Sequence, residues 1–306
     1  MKKQQIGMTD IEASRVALGV MRLAGRSPKE AAATVSAALE AGIDFFDSAD
    51  IYGAGASSRA LGQALRDLNV PRENVILQTK AGIVPGERYD FSREHLERAL
   101  DAELERLQTD YVDFFLLHRP DPLVDIDELA DTLGAMVEAG KVRQLGVSNM
   151  NPWQIDLIQS ALEVPLEVNQ LQFGLGHTQA IASGLHVNMD DAPATERGGG
   201  LIECARLYGM TIQAWSPFQF GTFAGCFIGH PDFPELNAAL DEVAEAHGTT
   251  PTAVATAWIL RHPANIQVIC GSMSPDHIRD AAAGADVELT RAEWWRLYQA
   301  AGNDLP

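Results

Sequence analysis

The sequence predicts a closed (β/α)₈ barrel, and three observations carry that prediction. Eight short β-branched or aromatic runs are spread along the 306 residues, one about every thirty residues, the length of a strand–helix unit. Most of them are near-continuously apolar, as parallel strands buried on both faces are. An open doubly wound sheet shares this alternation but usually carries a Gly-rich fingerprint after its first strand. Val16–Arg26 contains no GxGxxG, so the barrel is the better match.

The first strand, Arg15–Val20, leads to a helical pattern over Pro28–Ala41. Ser27 serves as its N-cap, and Gly42 follows its end. Asp44–Ala49 and Val75–Lys80 are the next two strands. Arg93–Leu107 then reads as a helix, with Leu96, Leu100, Leu104 and Leu107 on one apolar stripe against a charged back. Ser92, with Glu94 and Glu97 in the first turn, marks its start. Tyr111–His118 is the fourth strand and Ile126–Ala139 a further helix. Arg143–Ser148, Leu166–Gln172, Thr211–Phe218 and Ile266–Gly271 complete the eight strands. From Phe173 to Gly200 the rhythm breaks into a Gly/Ala/Asp-rich stretch ending Arg197-Gly198-Gly199-Gly200. Connections that long are uncommon. After the sixth strand it belongs at the barrel mouth, either as a mobile insertion without chemistry or as a flap over substrate. No linker or composition shift divides the chain, so residues 1–306 are expected to form a single barrel domain with one long connection at 173–200.

Composition narrows the function. An apolar fraction of 46%, spread along the chain, excludes disorder. No run approaches about eighteen apolar residues, so no membrane span is expected, and the polar Met1–Asp10 does not read as a signal peptide. Cys204, Cys226 and Cys270 are too few and too scattered for a disulfide framework or a zinc site, which points to a reducing cytoplasm. Net charge is −19, from 42 acidic and 23 basic residues, with no Lys/Arg cluster. Nucleic acid is thereby excluded as a partner. An anionic ligand would depend on a few local groups acting against the global field.

Chemistry in such a barrel sits at the C-terminal strand ends. Asp47 ends the second strand, Tyr52 lies in the loop after it, Lys80 ends the third and His118 the fourth. Singly, each has a structural explanation: a loop cap, a packed ring, a solvated tip, a hydrogen-bonded imidazole. Together, at adjacent strand ends about 4.8 Å apart, they converge on one pocket. A unit cation about 4 Å from the phenol favours the phenolate by roughly 4 kcal/mol. Burial opposes this, and a net fall of about one to three pH units in the Tyr52 pKa is expected. Asp47 keeps Lys80 charged, and a neutral His118 donates a hydrogen bond to a carbonyl oxygen. The set suits proton delivery to that oxygen. No side chain supplies a hydride, so a cofactor must.

These residues lie in stretches that resemble the aldo-keto reductases, (β/α)₈-barrel enzymes that reduce carbonyls with a nicotinamide dinucleotide. The stretches are GIDFFDSADIYGAG (Gly42–Gly55), VILQTKAG (Val75–Gly82), DFFLLHRPDP (Asp113–Pro122), GKVRQLGVSNM (Gly140–Met150), VNQLQF (Val168–Phe173), AWSPF (Ala214–Phe218) and ICGSMSPDHI (Ile269–Ile278). They span nearly the whole chain, and LLHRPDP is similar to a bacterial subgroup. The resemblance places the family's tetrad on Asp47, Tyr52, Lys80 and His118. It implies that Ser148, Asn149 and Gln170 bond the nicotinamide carboxamide and that Trp215 stacks on its ring. It further implies that Ser216, Pro217 and Phe218 follow the pyrophosphate and that Gly19, Met21 and Arg22 line the same trough, Asp47 among them. NADP(H) is the implied cofactor, with NAD(H) the alternative.

The chain departs from the family at the 2′-phosphate end. Gly271-Ser272-Met273-Ser274 and His277 stand where relatives often place Lys or Arg, leaving Ser272, Ser274, His277 and Arg279 as phosphate partners. Charge-assisted donors normally grip a phosphate, so NADPH over NADH is an expectation from the family rather than from these residues. Ser58-Arg59 replaces the Glu of a YGxGxSE pattern. The chain ends soon after Trp294-Trp295, without the long C-terminal loop of steroid-type pockets, so an open pocket and broad aldehyde or ketone tolerance follow. The resemblance also leaves a dinucleotide-binding regulatory subunit with little turnover as the alternative. Two other enzyme readings fit less well. A Schiff-base lysine needs a lowered pKa, which pairing with Asp47 opposes. A metal site needs several ligands, and His118 is the only His at a strand end.

Overall fold

The computed structural model describes residues 1–221 and 223–306. Eight parallel strands close into a barrel in chain order: β1 (Val16–Gly19), β2 (Phe45–Asp47), β3 (Ile76–Ala81), β4 (Val112–Leu117), β5 (Val142–Ser148), β6 (Leu166–Gln172), β7 (Thr211–Trp215) and β8 (Ile266–Cys270). The circle shuts where Val268 of β8 pairs with Val16 of β1. Every residue of β1 and β4 is buried, as the continuous apolar runs predict for strands covered on both faces.

The helices form the outer ring. A capping box of Ser27 and Glu30 starts α1 (Pro28–Glu40); α2 (Ala56–Asp67) follows. In α3 (Arg93–Leu107) the Ser92 hydroxyl accepts from the His95 amide, and all four stripe leucines are buried, each worth about 2 kcal/mol of apolar transfer. Asp125 caps α4 (Ile126–Glu138). No helix among the described residues is long and apolar enough to cross a membrane.

An antiparallel hairpin, Lys3–Gln5 with Glu12–Ser14, plugs the N-terminal end of the barrel. Ile6 and Ala13 are buried beneath Phe45 and Phe114, and the Gly7 and Met8 amides donate to Thr211 Oγ1 and Glu167 Oε2 at 2.8 and 2.6 Å. Pro152–Gln159 forms α5, and the 173–200 connection contains a short helix, α6 (Gln179–Leu185). The connection is braced by Ser183 Oγ donating to Glu196 Oε2 at 2.7 Å and by the Gly198 and Gly199 amides donating to Glu196 Oε1.

Above the apolar plug the barrel interior turns polar. Gln78, Gln170, Gln213 and Gln267, from β3, β6, β7 and β8, are all buried. Gln267 donates to the Ser14 carbonyl at 2.8 Å, and Gln213 donates to the Gln267 and Gln78 oxygens at 2.9 and 3.1 Å. Gln78 and Gln170 donate to the Gln213 oxygen at 2.7 and 3.0 Å, and to Asp47 Oδ1 at 2.6 and 3.1 Å. The amides thus connect the floor of the barrel to Asp47.

Candidate active site

Strand register brings the four candidate residues to one mouth. Asp47 ends β2 opposite Gly19 of β1 and Gln78 of β3. Lys80 pairs with Leu116 of β4, one turn of chain before His118. Tyr52 opens a short 3-10 turn, Tyr52–Gly55. Gly55, at φ +85°, leaves room for the Arg106 guanidinium, which a Cβ there would strike at 2.3 Å.

Lys80 is fully buried, and its Nζ donates to Asp47 Oδ1 at 2.6 Å and to the Ser48 carbonyl at 2.7 Å. Nζ lies 5.2 Å from the Tyr52 ring centroid, and the Tyr52 and His118 rings meet edge-on at 5.9 Å. Burial works against the Lys80 charge, but Asp47 and then Tyr52 outweigh it, and its pKa stands above the ordinary lysine value. His118 is held neutral: burial, then Lys80, then Arg119 push its pKa well below the usual imidazole range. Its buried Nδ1 has no partner among the described residues. Tyr52 differs from the expectation of a net fall. Burial raises the phenol pKa, Asp47 adds to the rise, and the pull of Lys80 does not overcome them. The phenol keeps its proton, above an ammonium that stabilises the phenolate once the proton leaves.

A cavity of about 640 Å³ opens over these groups, within the size range of small-molecule sites. Every residue expected along the cofactor trough lines it; of the four expected phosphate partners Ser272 and His277 do and Ser274 and Arg279 do not, and Lys80 of the tetrad is buried out of its reach. On one wall Asn149, in a left-handed conformation at φ +56°, donates to Ser148 Oγ at 2.7 Å and accepts from Trp215 Nε1 at 3.0 Å. That amide is occupied in fixing the Trp215 ring. Gln170 Oε1 has no donor among the described residues, although its Nε2 is bonded, so it is free to accept from an amide in the cavity. Gly19, Met21, Ser216, Pro217 and Phe218 continue the trough to Gly271, Ser272 and His277. There Arg22 Nη1 donates to the Gly271 carbonyl at 3.1 Å, and Ser272 Oγ and His277 Nδ1 are 3.4 Å apart. Arg279, an expected phosphate partner, instead faces Asp276 at 3.0 Å and Glu40 at 3.8 Å and does not line the cavity. No residue of 173–200 lines it either. The covering segment is the hairpin Gln219–Phe220 with Gly225–Cys226 after β7; from it Gln219, Phe223 and Cys226 line the cavity, and Phe223 stacks on Trp215 at 5.9 Å.

Sequence reasoning missed Glu103. This carboxylate, fully buried behind the barrel wall, accepts from Ser58 Oγ and Thr79 Oγ1 at 2.6 Å each and from Arg106 Nη1 at 3.0 Å. Ser58 Oγ lies 2.7 Å from Ser48 Oγ. Ser48 and Thr79 are the chain neighbours of Asp47 and Lys80, so Glu103 clamps the two strands beside their charged pair. A signal was present. Leu96, Leu100, Glu103 and Leu107 fall at i, i+4, i+7 and i+11, which places a carboxylate on an apolar stripe.

Asp50, two residues before Tyr52, has a buried Oδ1 without a partner among the described residues. Burial, then Glu103, pushes its carboxyl up to about 7. The folded chain therefore keeps a proton that the unfolded chain releases near pH 4, and stability from this group is lost as pH rises towards 7. Asp50→Asn is expected to gain on the wild type at pH 8 by on the order of 1–3 kcal/mol relative to the comparison at pH 5. Measuring both melting temperatures at each pH cancels the opposite contribution of neutral His118. An equal difference at the two pH values would refute the assignment.

Comparisons with known proteins bear on the family and the fold. The model of the aldo/keto reductase family matches residues 15–301. A 6-dehydroglucose reductase of Agrobacterium fabrum is 36% identical over 97% of this chain and 98% of its own length. One from Novosphingobium aromaticivorans is 37% identical over 99% and 97%. In fold, the chain is similar to a thermostable aldo-keto reductase solved with the inhibitor epalrestat, at a TM-score of 0.79 and 24% identity, covering 98% of this chain and 100% of that one.

Proposed function

Since this chain belongs to the aldo/keto reductase family, a family of oxidoreductases, we propose that it reduces an aldehyde or ketone to an alcohol with NADPH or NADH, Tyr52 being the proton donor. The observation that carries this reading is the buried Lys80–Asp47 pair beneath a protonated Tyr52 and a neutral His118 at one cavity. The similarity to two 6-dehydroglucose reductases supports a sugar-derived carbonyl compound as one candidate substrate.

The residues present fit a nicotinamide dinucleotide. Gln170 Oε1 is free to accept from its carboxamide, Trp215 offers a fixed aromatic face, and the trough runs on past Ser216–Phe218 to Ser272 and His277. When bound, the reduced nicotinamide supplies the hydride, which no side chain can. His118 donates a hydrogen bond that orients the substrate carbonyl, and Tyr52 Oη releases its proton to the same oxygen. Lys80, held charged by Asp47, stabilises the phenolate left behind.

The test is a titration of intrinsic fluorescence with NADPH and separately with NADH. Trp215 quenching is expected to saturate with both. The ratio of the two affinities reads whether Ser272, His277 and the neighbouring Arg22 suffice for a 2′-phosphate. No quenching by either at millimolar concentration would overturn the proposal.

A further inference from the structure

Arg119 stands apart from the other arginines. Five arginines are partly buried: Arg15, Arg72, Arg93, Arg106 and Arg119. Arg15 donates to the Leu260 carbonyl, Arg72 pairs with Asp113, Arg93 with Glu97 and Arg106 with Glu103. Arg119 has no acceptor among the described residues. A guanidinium carries five donors and cannot shed its charge; none of the Arg119 nitrogens is sealed from solvent, so on the cavity wall its donors stand open to a ligand. With 42 acidic residues in the chain, a carboxylate partner would be easy to supply. None lines the cavity except Asp47, whose Oδ1 is taken by Lys80, Gln78 and Gln170.

Position separates Arg119 from the cofactor. It follows β4, and in the ring of eight strands β4 is four strands from β8 in either direction. The trough end at Gly271, Ser272 and His277, where cofactor phosphates are proposed, follows β8 and so lies on the opposite rim. Arg22 and Arg26, the other cavity arginines, follow β1 beside β8 and are exposed; Arg22 is bonded to Gly271 and Arg26 lies 3.9 Å from Glu30. Arg119 instead adjoins His118, whose ring is 5.9 Å from that of Tyr52. Ile51 and Ile83 add apolar surface to the same cavity.

We propose that Arg119 binds an anionic group of the substrate, so that the preferred substrates are oxo acids, small carbonyl compounds bearing a carboxylate a short apolar spacer from the reacting carbon. This rests on the reductase reading above and adds the substrate class to it. A paired guanidinium and carboxylate make a bidentate, charge-assisted contact that a hydroxyl or amide does not match. It also offsets the repulsion an anion meets from a chain of net charge −19.

The test compares 4-formylbenzoate with 4-formylbenzamide, which share a shape and differ in charge, as substrates with NADPH and with NADH. The wild-type kcat/KM is expected to favour the benzoate by about tenfold or more at low salt, with the preference shrinking as ionic strength rises. In Arg119→Gln the ratio of the two kcat/KM values should fall to about one, and Arg119→Lys should restore part of it. The ratio is the proper readout, because Arg119 also acts on His118 and its loss alters both reactions. A wild-type ratio near one, or a ratio unchanged in Arg119→Gln, overturns the oxo-acid assignment and leaves the reductase reading standing. Reduction of neither aldehyde with either cofactor overturns both.

Discussion

Tyr52→Phe is expected to lower carbonyl reduction by about 10²–10⁴-fold, the range over which a positioned general acid contributes. The substitution removes one oxygen and leaves the ring against His118, at a centroid separation of 5.9 Å. Lys80 keeps both its acceptors, Asp47 and the Ser48 carbonyl, so no buried charge is orphaned. Cofactor quenching of Trp215 should therefore be unchanged. Because the lost proton transfer belongs to the transition state, kcat and kcat/KM should fall together. Wild-type turnover in this variant would remove Tyr52 from the acid role.

Lys80→Met is expected to damage stability as well as rate. Its ammonium is fully buried, and without it Asp47 keeps only the amide donors of Gln78 and Gln170. Removing one partner of a buried ion pair costs about 3–5 kcal/mol, several degrees in melting temperature for a chain of this size. Adding Asp47→Asn should recover most of that stability, since the uncompensated charge is gone, while reduction stays absent. With the Asp47→Asn single variant as the remaining corner, the double-mutant cycle gives the coupling energy of the pair. If the double variant melts no higher than Lys80→Met, the pair is not what holds this end of the barrel.

The tetrad was legible in the sequence because each member sits at or beside the end of an apolar run, where chain position alone predicts the barrel mouth. Arg93–Leu107 was legible to the residue because its leucine period and Ser92 cap agree. Other features depend on contacts that no local pattern encodes. The N-terminal hairpin consists of three-residue strands, too short to show a period. Glu103 gains its meaning only when α3 packs behind β2 and β3. The covering hairpin at Gln219–Cys226 is short and ordinary in composition, whereas the conspicuous 173–200 stretch braces itself away from the cavity. The Tyr52 proton affinity turns on a balance of burial, Lys80 and Asp47 that needs distances.

The chain of glutamines inside the barrel bears on how this protein can change over generations. Gln213 accepts from Gln78 and Gln170 and donates to Gln78 and Gln267, so a lone Gln213→Leu would leave the Gln78 and Gln267 oxygens without a donor and the Gln78 and Gln170 amides with Asp47 alone. An apolar interior is reachable only by replacing several of these positions together, and every intermediate carries buried groups without partners. Gln78, Gln170, Gln213 and Gln267 should accordingly drift as one inherited block, and a substitution at Gln267, on the far side of the barrel from the cavity mouth, should be tolerated only in company.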